Sequence, residues 1–194
     1  MRVLVGCEFS GTVRSAFRRR GHDAWSCDLL PAEDGGPHIQ ADVLSVLGDG
    51  WDLAIFHPPC THLAVSGARH FHRKQVEQAE ALEFVQRLLD APIPRIALEN
   101  PVSVISSRIR RPDQIIQPHQ FGHAESKRTC LWLKGLPPLR PTDVLQQRGR
   151  WENQTPSGQN KLGPSPDRWK IRSKTYPGIA CAMADQWGAY DSDR

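Results

Sequence analysis

The chain has 194 residues, of which 39% are hydrophobic and 24% are charged, and its formal net charge is +4. This composition is typical of a soluble globular protein, and the length suffices for one domain with a sizeable core. Because the sequence has no apolar run of membrane-spanning length and no signal peptide, we expect a cytoplasmic protein with no membrane partner. The five cysteines include no CxxC pair, which fits a reducing compartment rather than a disulfide framework.

Short apolar runs alternate with amphipathic stretches, which predicts a single α/β domain over residues 1–194 with a Rossmann-like, doubly wound and mostly parallel sheet. The predicted strands cover residues 2–6, 23–27, 39–42, 52–56, 95–98, 114–120 and 129–133. The predicted helices follow Ser10, span 43–47 and about 72–89, and begin at Pro177.

The turn after the first strand predicts a helix N-terminus that faces a ligand. Ser10 is placed to cap the helix, and Gly6 and Gly11 allow the backbone to approach a bound group. Asp28 follows the second strand, where an acid can accept hydrogen bonds from a ribose. Asp28 and Asp42 also suit ordinary turn and helix caps, so both roles stay open for them.

The stretch 51–61, WDLAIFHPPCT, predicts a buried strand that ends in a rigid turn with one thiol. Pro58 and Pro59 fix their own φ angles and restrict the residues before them. Cys60 is therefore expected at the carboxyl end of a strand, where open α/β sheets bind their ligands. A nucleophilic cysteine and a buried structural cysteine both fit these residue types.

A carboxylate follows the next buried strand in the same way. Residues 95–98 lead directly into Glu99, Asn100 and Pro101. Because the carboxyl ends of neighbouring parallel strands meet at one edge of a sheet, Cys60 and Glu99 are expected to face one pocket.

The segment 141–173 is rich in proline and glycine and lies within the most basic part of the chain. Residues 140–174 contain eight Lys or Arg against three acids, so the rest of the chain is close to neutral. Trp151 and Trp169 are interleaved with these charges. A basic loop with aromatic residues favours a polyanionic partner, whereas a solvated loop explains the same cluster without one.

Histidines surround Cys60, so a zinc site has to be considered. These residues are His57, His62, His70 and His72. Their C-x-H and H-x-H spacings differ from the usual spacing of zinc ligands, and we therefore expect no metal.

A thiol and a carboxylic acid in one pocket suit an attack on a pyrimidine ring. The thiolate adds at C6, C5 becomes nucleophilic, and an acid hydrogen-bonded to ring N3 stabilises the developing charge. With HPPCT and LENPV both present, the sequence resembles the DNA (cytosine-5) methyltransferase family, and especially its short phage-type members. EFSGTV, KRTCLWL and YPGIACAMADQWG resemble, in order, the family's cofactor loop, target-arginine strand and final motif.

The resemblance implies that S-adenosyl-L-methionine is the cofactor and DNA the partner, in a bacterial or phage-infected cell. It assigns catalysis to Cys60, Glu99 and Arg128, although Lys127 is adjacent and which of the two basic residues reaches the base stays open. The implied cofactor-binding residues are Glu8, Phe9, Ser10, Gly11, Asp28, Asp42 and Pro58. The implied substrate-binding residues are Asn100, Lys127, Arg168, Lys170 and Arg172.

In the implied reaction Cys60 attacks C6, Glu99 hydrogen-bonds and protonates N3, a methyl group passes to C5, and a base removes the C5 proton. A cation near Cys60 would lower its pKa, and His57 is one candidate. The family inserts a long target-recognition domain where this chain has only residues 141–173, which predicts weak or very short sequence specificity. Two other functions stay open: methylation of a free pyrimidine nucleotide or of RNA, and non-catalytic modulation of DNA by a protein that keeps the fold.

Overall fold

The computed structural model describes residues 1–146 and 149–189, apart from the side chain of His70. Within these ranges the strands are β1 (Arg2–Gly6), β2 (Asp23–Asp28), β3 (His38–Gln40), β4 (Leu53–Phe56), β5 (Arg95–Pro101), β6 (Gln114–Ile116) and β7 (Thr129–Lys134). The α-helices are α1 (Thr12–Arg18), α2 (Gln75–Leu89), α3 (Ile105–Arg108), α4 (Arg168–Ser173) and α5 (Pro177–Gly188). The 3-10 helices are Val43–Val46, Val65–Arg73 and Pro118–Gln120.

In the described part of the chain, seven strands form one sheet in the order β3-β2-β1-β4-β5-β7-β6. Strands β3, β2, β1, β4 and β5 are parallel, and β7 runs antiparallel to both β5 and β6. This α/β arrangement is typical of the S-adenosylmethionine-dependent methyltransferase fold, so the predicted fold class is confirmed. Because the strand order reverses between β1 and β4, a crevice is expected at their carboxyl ends.

Separate hydrophobic clusters cover the two faces of the sheet. On one face α1 and α5 pack over β1, and Phe17, Met183 and Trp187 are fully buried. On the other face α2 covers β4 and β5, and Leu88 and Trp132 are fully buried. Burial of both faces explains why the central strands are nearly continuous apolar runs in the sequence. Among the helices of the described ranges, none has the length and apolar character needed to cross a membrane.

The cap of α1 differs from the predicted one. Gly11 occupies the N-cap position with φ 70°, and the hydroxyl of Ser10 makes only a long contact of 3.4 Å with the first helical amide. The carboxylate of Glu8 accepts hydrogen bonds from the amides of Val13 at 2.7 Å and Arg14 at 3.2 Å. Glu8 has a longer side chain than serine and carries the negative charge that a helix N-terminus favours. The predicted Ser10 cap is therefore wrong.

Several predicted boundaries also differ from the observed ones. Strand β5, expected over 95–98, runs to Pro101 and so includes Glu99 and Asn100. The strand expected over 114–120 ends at Ile116, because Pro118 has no N–H for pairing and begins a 3-10 helix. The long helix expected from about His72 begins at Gln75, because the residues before it form a 3-10 helix instead.

In its described residues, the basic segment 141–173 consists of loops and α4. Its first part is attached to the chain that precedes β7. The ring of Trp151 stacks on His119 at a centroid distance of 4.4 Å, and Asn153 exchanges two hydrogen bonds with the backbone of Ser126. Arg148, one of the basic residues counted in this segment, lies outside the described residues.

Candidate active site

The turn that carries Cys60 is bound to the strand that carries Glu99. The carbonyl of Pro58 accepts a hydrogen bond of 2.9 Å from Nδ2 of Asn100, which is 1% exposed. Beyond the two turns, an isolated β-bridge joins Ala64 to Ser103. Cys60 is exposed at the end of its turn. The two motifs are thus fixed relative to each other by side-chain and backbone contacts.

Glu99 is buried beside an imidazole. Its side chain is 13% exposed, and one carboxylate oxygen accepts a hydrogen bond of 3.1 Å from Nδ1 of His57. Burial alone would raise the pKa of Glu99, but the hydrogen bond from His57 and the charge of Lys127 hold it below its usual value. The acid group is therefore ionised in the resting protein.

Three neighbouring charges act on the thiol of Cys60. Desolvation by the surrounding protein raises the pKa of the thiol, and the Glu99 carboxylate raises it further. The positive charges of Lys127 and Arg172 act in the opposite direction. Their opposition is outweighed, so the pKa of the thiol lies above its usual value, and His57 is bonded to Glu99.

The sequence did not decide between the adjacent basic residues Lys127 and Arg128. Of these two, Lys127 acts on both Cys60 and Glu99. Its charge acts to lower the pKa of the thiol and of the carboxylate, and its Nζ donates a hydrogen bond of 3.0 Å to the carbonyl of Arg172. Arg128 is exposed, and its charge acts on the thiol of Cys130. The charge of Lys127 thus acts on both Cys60 and Glu99, whereas that of Arg128 acts on Cys130.

The loop between β1 and α1 lines a cleft next to the Cys60 turn. The lining residues from this side are Cys7, Glu8, Phe9, Ser10 and His57. Cys7 has a left-handed backbone with φ 58°, which is uncommon for a residue other than glycine and often marks a functional site. Glu8 is buried, and burial raises the pKa of its carboxyl, while the charge of His57 and the amides of α1 oppose that effect.

The other predicted cofactor residues lie at the carboxyl ends of β1 to β4. Asp28 ends β2 and accepts a hydrogen bond of 2.9 Å from the amide two residues later. Asp42 follows β3 and caps the next 3-10 helix with a bond of 3.0 Å. Gly11 begins α1, and Pro58 is buried after β4. Both acids thus make the capping contacts that the sequence allowed, at the edge where a nucleoside would bind.

Residues 168–175, which we call the strap, lie across the cleft. Ser173, Lys174 and Thr175 contribute to the lining, and the remaining cavity has a volume of about 30 Å³. Such a cavity holds about one water molecule, whereas ligand pockets typically measure roughly 300–1,000 Å³. A nucleoside-sized molecule therefore fits only after the strap has moved.

The strap is attached by contacts close to its two ends. Lys174 Nζ lies 2.5 Å from a carboxylate oxygen of Glu33, and the side chains are 43% and 39% exposed. The ring of Trp169 lies 5.8 Å from that of Phe9. Because exposed ion pairs contribute little to stability, the pair of Lys174 with Glu33 adds little to the free energy needed to open the strap.

The predicted substrate-binding cations of the basic segment all lie on α4, within the strap. Arg172 acts on the Cys60 thiol, and Lys170 lies 3.9 Å from Asp167 and 5.7 Å from the ring centre of Trp169. Trp169 is 51% exposed. Arg168 begins the helix. The strap therefore places positively charged side chains and an aromatic ring beside the Cys60 turn.

Metal binding finds no support in the part of the chain that the structure describes, where no group of three His, Cys, Asp or Glu side chains is arranged to hold an ion. The side chain of His70, one of the histidines considered from the sequence, lies outside this part. His57 is bonded to Glu99.

Sequence reasoning missed the bond between His57 and Glu99 and the closure of the cleft by the strap. A polar residue directly after the buried strand β4 was the signal available for His57. No comparable signal existed for the ion pair of Lys174 with Glu33, because the two residues are remote in the chain.

Comparison with solved structures shows a shared fold. A proposed DNA modification methyltransferase encoded within an E. coli prophage matches with a TM-score of 0.50 and 16% identity over 74% of this chain, and the chain spans about half, 51%, of that protein's length. The 16S rRNA methylase RmtB matches with 18% identity over 69% of this chain and 55% of the RmtB chain. Its TM-score of 0.36 is too low to support an assignment. No protein-family model and no curated protein matches the sequence.

Proposed function

We propose that this protein transfers a methyl group from S-adenosyl-L-methionine to C5 of cytosine in DNA, through a covalent bond between Cys60 and C6. The observation that carries the proposal is that a thiol and a buried carboxylate follow neighbouring parallel strands and are tied together by the bond from Asn100 to Pro58. The methyltransferase fold supports it, because its crevice lies at this edge of the sheet.

The residues around the cleft have the chemistry that the cofactor requires. The loop Glu8, Phe9, Ser10 and Gly11 would surround its amino-acid part, and the carboxylates of Asp28 and Asp42 would accept hydrogen bonds from its nucleoside hydroxyl and amino groups. When bound, the cofactor supplies an electrophilic methyl group. The strap has to be displaced first, because the cavity of about 30 Å³ has no room for a nucleoside.

Each step on the pyrimidine ring is assigned to one of three residues, Cys60, Glu99 and Lys127. The Cys60 thiol loses its proton, with the charges of Lys127 and Arg172 favouring the thiolate, and then attacks C6. Glu99 hydrogen-bonds N3 and stabilises the electron pair that moves onto it. After C5 has been methylated, a base removes the C5 proton and the thiolate leaves. In duplex DNA the target base first has to leave the stack.

The strap and the basic segment supply the contacts to the polymer. Arg168, Lys170 and Arg172 suit phosphate groups, and the exposed ring of Trp169 suits stacking with a base. Such contacts position nucleic acid without reading base edges, so we expect short or weak sequence specificity.

Incorporation of label tests this function directly. The protein is incubated with methyl-labelled S-adenosylmethionine and, separately, duplex DNA, single-stranded DNA, RNA or deoxycytidine nucleotides, and the product is digested to identify the modified base. Labelled 5-methylcytosine from DNA is expected. Label found only in RNA or only in free nucleotides would show that this substrate, and not DNA, is methylated. Absence of label from all four substrates would refute the proposal.

A mechanism-based trap tests the nucleophile. DNA with 5-fluorocytosine at the target position should form a stable adduct with the protein, because fluorine at C5 blocks the final elimination. Cys60→Ser should form none, whereas Cys181→Ser, a matched change of a half-buried cysteine on α5, should react like the unmodified protein. An adduct in the Cys60→Ser variant would exclude Cys60 as the nucleophile.

A further inference from the structure

His57 lies between two buried carboxylates. Its Nδ1 is 3.1 Å from the carboxylate of Glu99, and its ring lines the cleft together with Glu8, whose carboxyl its charge influences. The side chain is 7% exposed, and its Nε2 has no hydrogen-bond partner among the residues that the structure describes. An unpaired buried nitrogen costs stability, so a functional reason for the residue is worth seeking.

The charge state of Glu99 poses a problem for the proposed reaction. N3 of cytosine carries no hydrogen, so a group that bonds to it has to donate one. Glu99 is ionised at rest and has no hydrogen to donate. A proton must therefore reach Glu99 from a neighbour before or during the attack on C6.

We propose that His57 is a positioning residue for Glu99 that also supplies the proton which Glu99 delivers to N3. This inference rests on the proposed function. As the Cys60 sulfur bonds to C6, the electron pair of the C5–C6 double bond moves toward C4, and the pair between C4 and N3 moves onto N3. The Nδ1 proton of a positively charged His57 passes to the facing oxygen of Glu99 and leaves a neutral imidazole. The carboxyl group, now neutral, turns this O–H to N3 and gives the proton up there, which returns Glu99 to the carboxylate. When the thiolate leaves, the proton returns along the same route.

Several elements place titratable or charged groups around His57. The titratable and charged groups that face it, or act through Glu99, are Glu99 on β5, Glu8 and Cys7 after β1, Cys60 on its own turn, Lys127 before β7 and Lys174 in the strap.

Replacement of His57 by asparagine separates positioning from proton supply. The amide nitrogen of asparagine can donate a hydrogen bond to Glu99 from nearly the position of Nδ1. The amide is too weak an acid, however, to transfer a proton. We expect His57→Asn to lower kcat by roughly 10²-fold at pH 8 with little change in KM. Because Glu99 would then depend on solvent for its proton, kcat of this variant should rise more steeply than kcat of the unmodified protein as pH falls.

Two controls make the outcome decisive. His62→Asn, the same change on a nearby histidine outside the proposed route, should keep both the rate and the pH profile. A His57→Asn variant with the rate and profile of the unmodified protein would refute the role of His57 while leaving the methyl transfer intact. An unmodified protein that methylates no substrate would refute the proposed function, and the proton route would fail with it.

A spectroscopic measurement covers the case in which His57→Asn does not fold. With ¹⁵N-labelled histidine, NMR of the unmodified protein should show a proton on Nδ1 of His57, shifted by a hydrogen bond that Glu99→Gln weakens. A His57 ring whose Nδ1 carries no proton would refute the inference without any measurement of activity.

Discussion

The carboxyl edge of the sheet has two halves that are built differently. At β4 and β5 the Cys60 turn is bonded to Asn100, and Glu99 is buried against His57. At β1 and β2 the cleft is closed by the strap, which an exposed ion pair between Lys174 and Glu33 helps to hold. The half that would perform covalent chemistry is preorganised, whereas the half that would hold the cofactor has to open.

The proposed function accounts for this difference. Attack on a ring carbon requires a thiol and an acid at fixed positions, because misplaced groups lose most of their rate advantage. A cofactor has to enter and leave in every cycle, which a movable cover permits. The two halves are also coupled. Burial and Glu99 raise the pKa of Cys60, and the charge of Arg172 in the strap opposes this rise, so opening the strap would disfavour the thiolate further.

The largest effect is expected from Glu99→Gln in the rigid half. An amide cannot pass a proton to N3, so kcat should fall by at least about 10²-fold while cofactor affinity changes little. Steady-state kinetics and calorimetric titration with S-adenosylmethionine measure the two quantities. Glu83→Gln, on the exposed side of α2, is the matched control. A normal kcat in Glu99→Gln would mean that the pocket needs no acid.

The strap should also contribute to binding of DNA. Replacing Arg168, Lys170 and Arg172 together by glutamine should weaken binding at least about tenfold at low salt and flatten the salt dependence, by up to about 0.9 in log–log slope per lost phosphate contact. Fluorescence anisotropy over a series of salt concentrations measures both. Substitution of Arg18 and Arg19, exposed at the end of α1, should leave the slope unchanged. If the slope of the salt dependence is the same in the unmodified protein and in both sets of variants, the strap is not part of the DNA interface.

Lys127 and Arg128 offer a direct test of which cation serves the pocket. In Lys127→Met the pKa of Cys60 should rise, so the ascending limb of kcat/KM moves to higher pH and activity at pH 7 falls about three- to tenfold. The pH profile of Arg128→Met should coincide with that of the unmodified protein. A shift in Arg128→Met alone would restore the role that the sequence resemblance gave to Arg128.

The smallest effect is expected at the fastening of the strap. Lys174→Ala removes the exposed ion pair with Glu33, so the cleft should open more readily and S-adenosylmethionine should bind about two- to fivefold more tightly. Glu33→Gln should have a similar effect, since it removes the same pair. Calorimetric titration measures the affinities, and weaker binding in both variants would show that these residues hold the cofactor rather than the strap.

The sequence by itself determined the fold class and the positions of Cys60 and Glu99 at neighbouring strand ends. Both conclusions depend on local patterns: apolar runs that must be buried strands, and the prolines and polar residues that end them. The helix cap at Glu8 and the early end of β6 departed from expectation because competing local contacts were equally available to the chain.

Only the tertiary structure decided which side chains meet within the pocket. His57 bonds Glu99, the charge of Lys127 acts on Cys60, and the strap lies across the cleft. Each of these depends on distances between residues remote in the chain, and on burial that changes their charge states. Such distances arise only when the whole sheet is assembled, so no local pattern encodes them.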